Sequence, residues 1–184
     1  MRIIAGEFRG RQLLPPEGDV TRPITDRVKQ SLFDILAPYI EGARVYDCFA
    51  GTGSMGLECL SRGAAHVTFF ESDRSAVSRL QKNIDLLKVG SRSRVVKEDV
   101  FRWFGANANQ DGVADLIFLD PPYRFLRERP DDLRSLSKTF AASYMAPDAL
   151  IIFRHDAADA LALPPLNLAD LRDYGSMRLE FLRR

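Results

Sequence analysis

Four consecutive residues, Asp120, Pro121, Pro122 and Tyr123, concentrate more chemistry than any other stretch of this sequence. Two prolines have no N–H to donate, so beside the carboxylate the local backbone presents carbonyl acceptors only, and an aromatic ring follows at once. Acceptors plus a stacking face are what an exocyclic amine on a nucleobase needs, because its N–H groups must be held while the base plane is clamped. Such an amine is a poor nucleophile, since its lone pair is delocalised into the ring. Hydrogen bonds to Asp120 and to the Pro121 carbonyl would turn the lone pair outward and favour rehybridisation toward sp³. Positioning of this kind can supply on the order of 7 to 11 kcal/mol, and Asp120 need take the proton only late. Asp120, Pro121, Pro122 and Tyr123 are therefore the expected catalytic group, and no metal is required.

A second constellation lies upstream, in VYDCFAGTGSMGLE, where Gly51, Gly53 and Gly56 have GxGxxG spacing after a strand that ends near Phe49. Glycines there permit positive φ and let a ligand approach the backbone closely. Glu71 closes the next apolar run, HVTFFE, twenty positions after Gly51, where a carboxylate can accept from two ribose hydroxyls. A nucleoside cofactor is implied. Asp47, four positions before Gly51, would set a negative charge beside a pyrophosphate, which disfavours NAD, but it suits the ammonium of a cofactor with an amino-acid end. Asp99 in VVKEDVF is placed to meet an adenine amine, with Val100 and Phe101 against the ring; its competing role is a plain helix N-cap. S-adenosylmethionine satisfies all of these contacts, and Asp47, Phe49, Gly51, Gly53, Glu71, Asp99 and Val100 are its expected contacts.

These residues need a scaffold, and the apolar pattern supplies one. Expected strands are Arg44 to Phe49, His66 to Glu71, Arg94 to Val96, Leu116 to Leu119, Ala149 to Phe153, Leu168 to Tyr174 and Met177 to Leu182, the last two paired around Gly175. Expected helices are Asp26 to Leu36, capped by Thr25 or Asp26 and ended by Pro38, then Met55 to Arg62, Arg74 to Leu87, Val100 to Phe104 and Asp131 to Tyr144. Strand and helix in alternation predict an α/β fold with a doubly wound, mostly parallel sheet, and the closing hairpin adds one antiparallel strand. Residues 1–25, rich in Gly and Pro, read as a basic arm or hairpin before a main domain over 26–184.

The combination of DPPY, the FAGTGSMGLE turn, RIIAGEFRGR and TRPITDRVKQSLFDIL resembles the bacterial 16S ribosomal RNA guanine-N2 methyltransferases of the RsmD type, nearly end to end. DPPY alone is shared by many amine methyltransferases; the N-terminal segments are far more family-specific. The resemblance implies a class I (Rossmann-like) methyltransferase fold with a seven-stranded sheet, S-adenosylmethionine as donor, and as acceptor a guanine N2 of 16S rRNA within an assembling or assembled small subunit. Matched position by position, cofactor contacts fall on Asp47, Gly51, Gly53, Glu71 and Asp99, and catalysis on Asp120 to Tyr123. Thr21, Arg22, Pro23 and Arg27 match the segment that lies over the site. Cys48 and Ile24 are small departures. The alternatives are an amine methyltransferase on adenine N6 or cytosine N4, in RNA or DNA, a nucleotide-binding dehydrogenase, which leaves Asp47 and DPPY without a role, and a non-catalytic RNA-binding module, which leaves the acidic residues unexplained. A DNA enzyme of this kind usually carries a target-recognition insertion, for which 184 residues leave no room, so DNA is not the expected partner.

With 26 Lys and Arg against 25 Asp and Glu, the formal charge is +1 and does not announce a polyanion ligand. That sum hides where the charges lie. Arg2, Arg9, Arg11, Arg22 and Arg27 sit among glycines and prolines that can drape over phosphate, and Arg124, Arg127 and Arg129 follow the catalytic motif in what reads as a loop able to gate the base. Residues 74–97 hold seven basic residues and one acid, which reads more readily as a solvated helix face, since the segment follows the cofactor strands and need not face the base. The expected substrate contacts are Arg9, Arg11, Thr21, Arg22, Pro23, Arg27 and Arg124. Trp103, at helical spacing with Phe104, reads as packing, and Cys59 as core. Two cysteines outside any CxxC pair fit reduced thiols in a cytoplasmic protein. No secretion signal is read at the start and no apolar run approaches the roughly 20 residues of a membrane span; a cytoplasmic monomer with no membrane partner is expected.

Overall fold

The computed structural model describes residues 1–17, 24–106 and 112–184. The first helix, α1 (Asp26–Leu36), shows how local sequence sets an element. Thr25 Oγ1 accepts from Val28 N at 3.3 Å, Asp26 sits in the first turn, and Leu32, Phe33 and Leu36 fall on one buried face. Pro38 then diverts the chain into a single 3₁₀ turn. The strands are β1 (Arg44–Cys48), β2 (His66–Phe70), β3 (Ser93–Val96), β4 (Ala114–Leu119), β5 (Met145–Asp156), β6 (Asn167–Tyr174) and β7 (Met177–Arg183). The remaining helices are α2 (Ser54–Ser61), α3 (Arg74–Leu87), α4 (Val100–Ala106), α5 (Phe125–Glu128) and α6 (Pro130–Thr139).

All seven strands form one sheet in the order β3-β2-β1-β4-β5-β7-β6. The pairings from β3 to β5 are parallel, and β7 runs antiparallel to both of its neighbours. The class I methyltransferase architecture, with one antiparallel strand, is the one expected. Strand alternation assigns the two faces: Val45, Val67, Phe69, Phe118 and Ile152 point to one, where α1, α2 and α3 contribute Leu32, Phe33, Leu57, Leu60, Leu80 and Ile84. Tyr46, Phe70, Ile117, Leu119 and Phe153 point to the other, against Trp103 and Phe104 of α4 and Leu133 and Leu136 of α6. Both faces are covered, as parallel strands require. The strand order reverses between β1 and β4, which opens a crevice at their carboxyl ends.

Residues 1–13 fold back on themselves through an Arg2–Gln12 bridge, with Ile3 N donating to Arg11 O and Leu13 N to Met1 O. Ile3 and Leu13 enter the same core as α1 and α2. A buried carboxylate fastens this hairpin: Glu58 on α2 accepts from the backbone of Ile4 (2.8 Å) and Ala5 (3.0 Å) and pairs with Lys29 (3.0 Å) and Arg62 (2.9 Å). The Lys29 amine also donates to Arg2 O and Ser54 Oγ, so arm, α1 and the start of α2 share one polar knot.

Several ends shift by one or two residues from the sequence expectation, and three segments differ more. Strand β5 runs from Met145 to Asp156 instead of Ala149 to Phe153, because Pro147 and Asp148 interrupt the apolar run although Met145 pairs with Ala114. The helix expected over 131–144 is α6 followed by a wider π turn from Phe140 to Tyr144. The segment carrying Arg124, Arg127 and Arg129 is not a loop: Phe125 N bonds Pro122 O, and the chain turns at once into α5.

Candidate active site

Asp47, the fourth residue of β1, is buried at the crevice floor, where its Oδ2 accepts from Gly56 N at 2.9 Å. The turn that follows bends sharply. Phe49, Gly51 and Gly53 all have positive φ (63°, 55° and 85°), which costs an L side chain strain and costs glycine none. A Cβ at Gly51 would meet nothing within 4 Å, so this wall faces open space, whereas one at Gly56 would lie 2.3 Å from the Phe69 ring. Gly56 is therefore required by close packing of α2 on β2, and Gly51 keeps the crevice wall bare.

Glu71 follows β2 and bridges two loops, its Oε2 accepting from Gly51 N and its Oε1 from Asp73 N, both at 2.8 Å. Each oxygen retains a second lone pair for a ligand hydroxyl. Asp99 uses Oδ1 to cap α4, accepting from Phe101 N (2.9 Å) and Arg102 N (3.1 Å), and meets Arg129 Nη1 with Oδ2 at 3.4 Å. The N-cap role is thus real, and the second oxygen is shared with Arg129. Val100 is buried below. Phe49, Phe101 and Phe125 surround this end of the crevice with ring centroids 5.7 to 6.2 Å apart, and the Arg129 guanidinium lies 4.1 Å from the Phe101 centroid.

Asp120 leaves the end of β4 and shares the crevice with Asp47. Its Oδ1 accepts from Arg154 Nε at 2.7 Å, and no other hydrogen bond to its side chain occurs among the described residues. Pro121 is buried and Pro122 exposed. The Pro122 carbonyl accepts from Phe125 N and the Tyr123 carbonyl from Leu126 N, while among the described residues nothing donates to the Pro121 carbonyl. Tyr123 is half-buried beside it. Burial pushes the Asp47 carboxyl up to about 8, against the Gly56 N–H, with Asp120 and Glu71 adding to the rise. Burial likewise raises Asp120, and Arg154 opposes that rise.

Of the expected substrate contacts, Arg9, Arg11 and Arg27 are exposed and make no ion pair among the described residues. Arg124 is exposed and loosely paired with Glu128 at 3.7 Å. Thr21, Arg22 and Pro23 lie outside the described residues. Of the seven basic residues in 74–97, Arg79 and Arg92 bind the arm through Glu17 and Glu7 and are not free for phosphate. Two residues escaped sequence reasoning. Arg154 falls just past the expected end of β5, and only the register Leu119–Phe153 sets it beside Asp120. Glu58 lies inside the glycine motif itself, but its backbone partners are 53 and 54 residues away.

The family model described as "Conserved hypothetical protein 95" matches residues 1–183. The chain is 38% identical to ribosomal RNA small subunit methyltransferase D of Escherichia coli, over 91% of this chain and 80% of that protein. It is also 38% identical to the Haemophilus influenzae protein of the same name, over 89% and 83%. The solved structure of yhhF from Escherichia coli, a candidate methyltransferase, superposes with a TM-score of 0.86 at 36% identity, covering 100% of this chain and 97% of that one.

Proposed function

The chain belongs to the family described as conserved hypothetical protein 95, with relatives that include ribosomal RNA small subunit methyltransferase D, and from that premise we propose that it methylates the N2 amine of a guanine in 16S ribosomal RNA. The supporting observation is the pair of carboxyls, Asp47 and Asp120, at the ends of adjacent strands β1 and β4. Among the described residues one of them has no ion-pair partner, and the other stands beside a carbonyl to which nothing donates.

The residues present fit S-adenosylmethionine. A buried carboxyl raised to about 8 is short of a positive partner, which an amino-acid ammonium supplies. Glu71 is the ribose acceptor, and Asp99, Val100 and the three phenylalanines are the adenine end of the site. When bound, the cofactor supplies an electrophilic methyl group on a sulfonium. Oδ2 of Asp120 and the Pro121 carbonyl hold the two N–H groups of the target amine, and Tyr123 stacks on the base. Asp120 takes the surplus proton once the nitrogen has made its new bond. A dehydrogenase fits less well, because Asp47 would face a pyrophosphate across the glycine turn.

Arg9, Arg11, Arg27 and Arg124, with Thr21, Arg22 and Pro23, form the RNA-facing side. The chain works as a monomer in the cytoplasm, on an assembling or assembled small subunit. Among the described residues no helix is long and apolar enough to cross a membrane. The test is incubation with methyl-labelled cofactor and small ribosomal subunits from a strain lacking the modification, alongside large subunits and duplex DNA. Label in small-subunit RNA is expected; label in DNA alone, or in none of the three, overturns the proposal.

A further inference from the structure

Strands β4 and β5 are parallel and in register at Leu119–Phe153, so the next residues along, Asp120 and Arg154, emerge side by side at the crevice. Arg154 Nε reaches Asp120 Oδ1 at 2.7 Å, with the two side chains 12% and 22% exposed. We propose that Arg154 is a positioning residue for the amine site, which ties down one oxygen of Asp120, balances its charge, and leaves the other oxygen to accept from the target amine. The inference rests on the reading of Asp120 as the amine acceptor.

The chemistry of the acceptor base explains why such a residue is needed. The Watson–Crick edge of guanine beside N2 offers donors, N2–H and N1–H, so the carboxyl facing it must be ionised; a protonated Asp120 would point O–H at N–H. Burial works against ionisation of Asp120. The other charged groups of the crevice act on its two neighbours: Asp120 and Glu71 raise Asp47 of β1 while Lys29 of α1 lowers it, and Asp47 and Tyr123 act on Arg154. Arg154 is the group that tips Asp120 toward the charged form. Its fixed geometry does the rest, since a guanidinium bond to Oδ1 sets the rotation of the carboxylate plane.

A strap holding β4 to β5 would use the same pair, and pH separates the two roles. We would follow turnover on unmodified small subunits, at saturating cofactor, between pH 5.5 and 9.5 in wild type, Arg154→Gln and Arg154→Lys. An opposite charge at this range moves a carboxyl by roughly 1 to 3 units. The acid limb of the Arg154→Gln profile is therefore expected to rise by about that much. Below it, turnover falls about tenfold per unit, while cofactor affinity stays within about twofold. Arg154→Lys should leave the limb at its wild-type position with an intermediate rate. A loss in Arg154→Gln that is uniform across pH, or an unmoved limb, overturns the inference.

Asp120→Asn keeps the two readings apart. If it turns over near the wild-type rate, the Asp120 assignment itself fails; if it is inactive while the Arg154→Gln limb stays put, only the role of Arg154 fails. Should Arg154→Gln not fold, carboxyl ¹³C resonances of wild type carry the test, with the Asp120 signal identified by its loss in Asp120→Asn. An Asp120 carboxyl ionised at pH 7 is expected, and a protonated one contradicts the inference.

Discussion

Asp47 and Asp120 are two carboxyls of one crevice with different partners, and the difference predicts different failures. In the proposed function, replacing Asp120 with Ala removes the amine acceptor and leaves the cofactor contacts in place. Turnover should drop by about 10² to 10⁴, the range for loss of a positioned proton acceptor, with cofactor affinity by calorimetry unchanged. Replacing Asp47 with Asn should weaken the cofactor instead. It should also change how stability responds to pH. A carboxyl at about 8 in the folded chain and near 4 in the unfolded one holds its proton better when folded. Its contribution is complete below pH 4 and is lost as pH rises toward 8 and beyond. Without cofactor, the thermal midpoint of wild type should therefore include a component that declines between about pH 4 and 8, and Asp47→Asn should remove that component. At this scale Asp120 and Pro121 were legible because a DPPY run after a strand already specifies acceptors. Arg154 was not, since its partner is defined by strand register and not by any local pattern.

Helices and strands hold these residues through a few contacts that tolerate little change. A Cβ at Gly56 would come within 2.3 Å of Phe69 and 2.7 Å of Val67, so α2 would have to lift from β2. Gly56→Ala should destabilise by about 1 to 3 kcal/mol, the usual cost of overpacking, read as a lower denaturant midpoint with an unchanged slope. The arm depends on Glu58. Truncating it to Ala leaves Lys29 buried without its counter-charge and frees the N–H groups of Ile4 and Ala5, for a loss of about 3 to 5 kcal/mol. Protease sensitivity confined to the first 13 residues would show the hairpin detaching. Most elements could be read from apolar period and caps; α1 and α3 have the boundaries their patterns predict. Strand β5 could not, since a Pro and an Asp lie within it, and α5 was hidden by the prolines and arginines that flank it. What anchors the arm was equally hidden, because a buried Glu on an otherwise apolar helix looks like a surface residue until its distant partners are known.

Across the whole molecule, the +1 charge is a cancellation to which the crevice contributes four acids (Asp47, Glu71, Asp99 and Asp120), while many of the other acids pair with surface arginines. The cations available to RNA are fewer than the sequence count suggests, because Arg79 and Arg92 are engaged with Glu17 and Glu7, and Arg2 with Asp26. Arg9 and Arg11 remain exposed on the arm. Replacing both with Ala should weaken RNA binding, reduce the slope of log affinity against log salt by about 0.7 to 0.9 for each phosphate no longer neutralised, and leave cofactor affinity alone. So small a basic excess leaves little selectivity to charge alone, and in the proposed function the carboxyl crevice decides which atom is methylated. The most direct measurement is therefore to digest small-subunit RNA to nucleosides after reaction and identify the product by mass spectrometry against standards. Asp120 and the Pro121 carbonyl holding a guanine amine predict N2-methylguanosine, absent when Asp120 is Ala; N6-methyladenosine or N4-methylcytidine in its place would contradict the account.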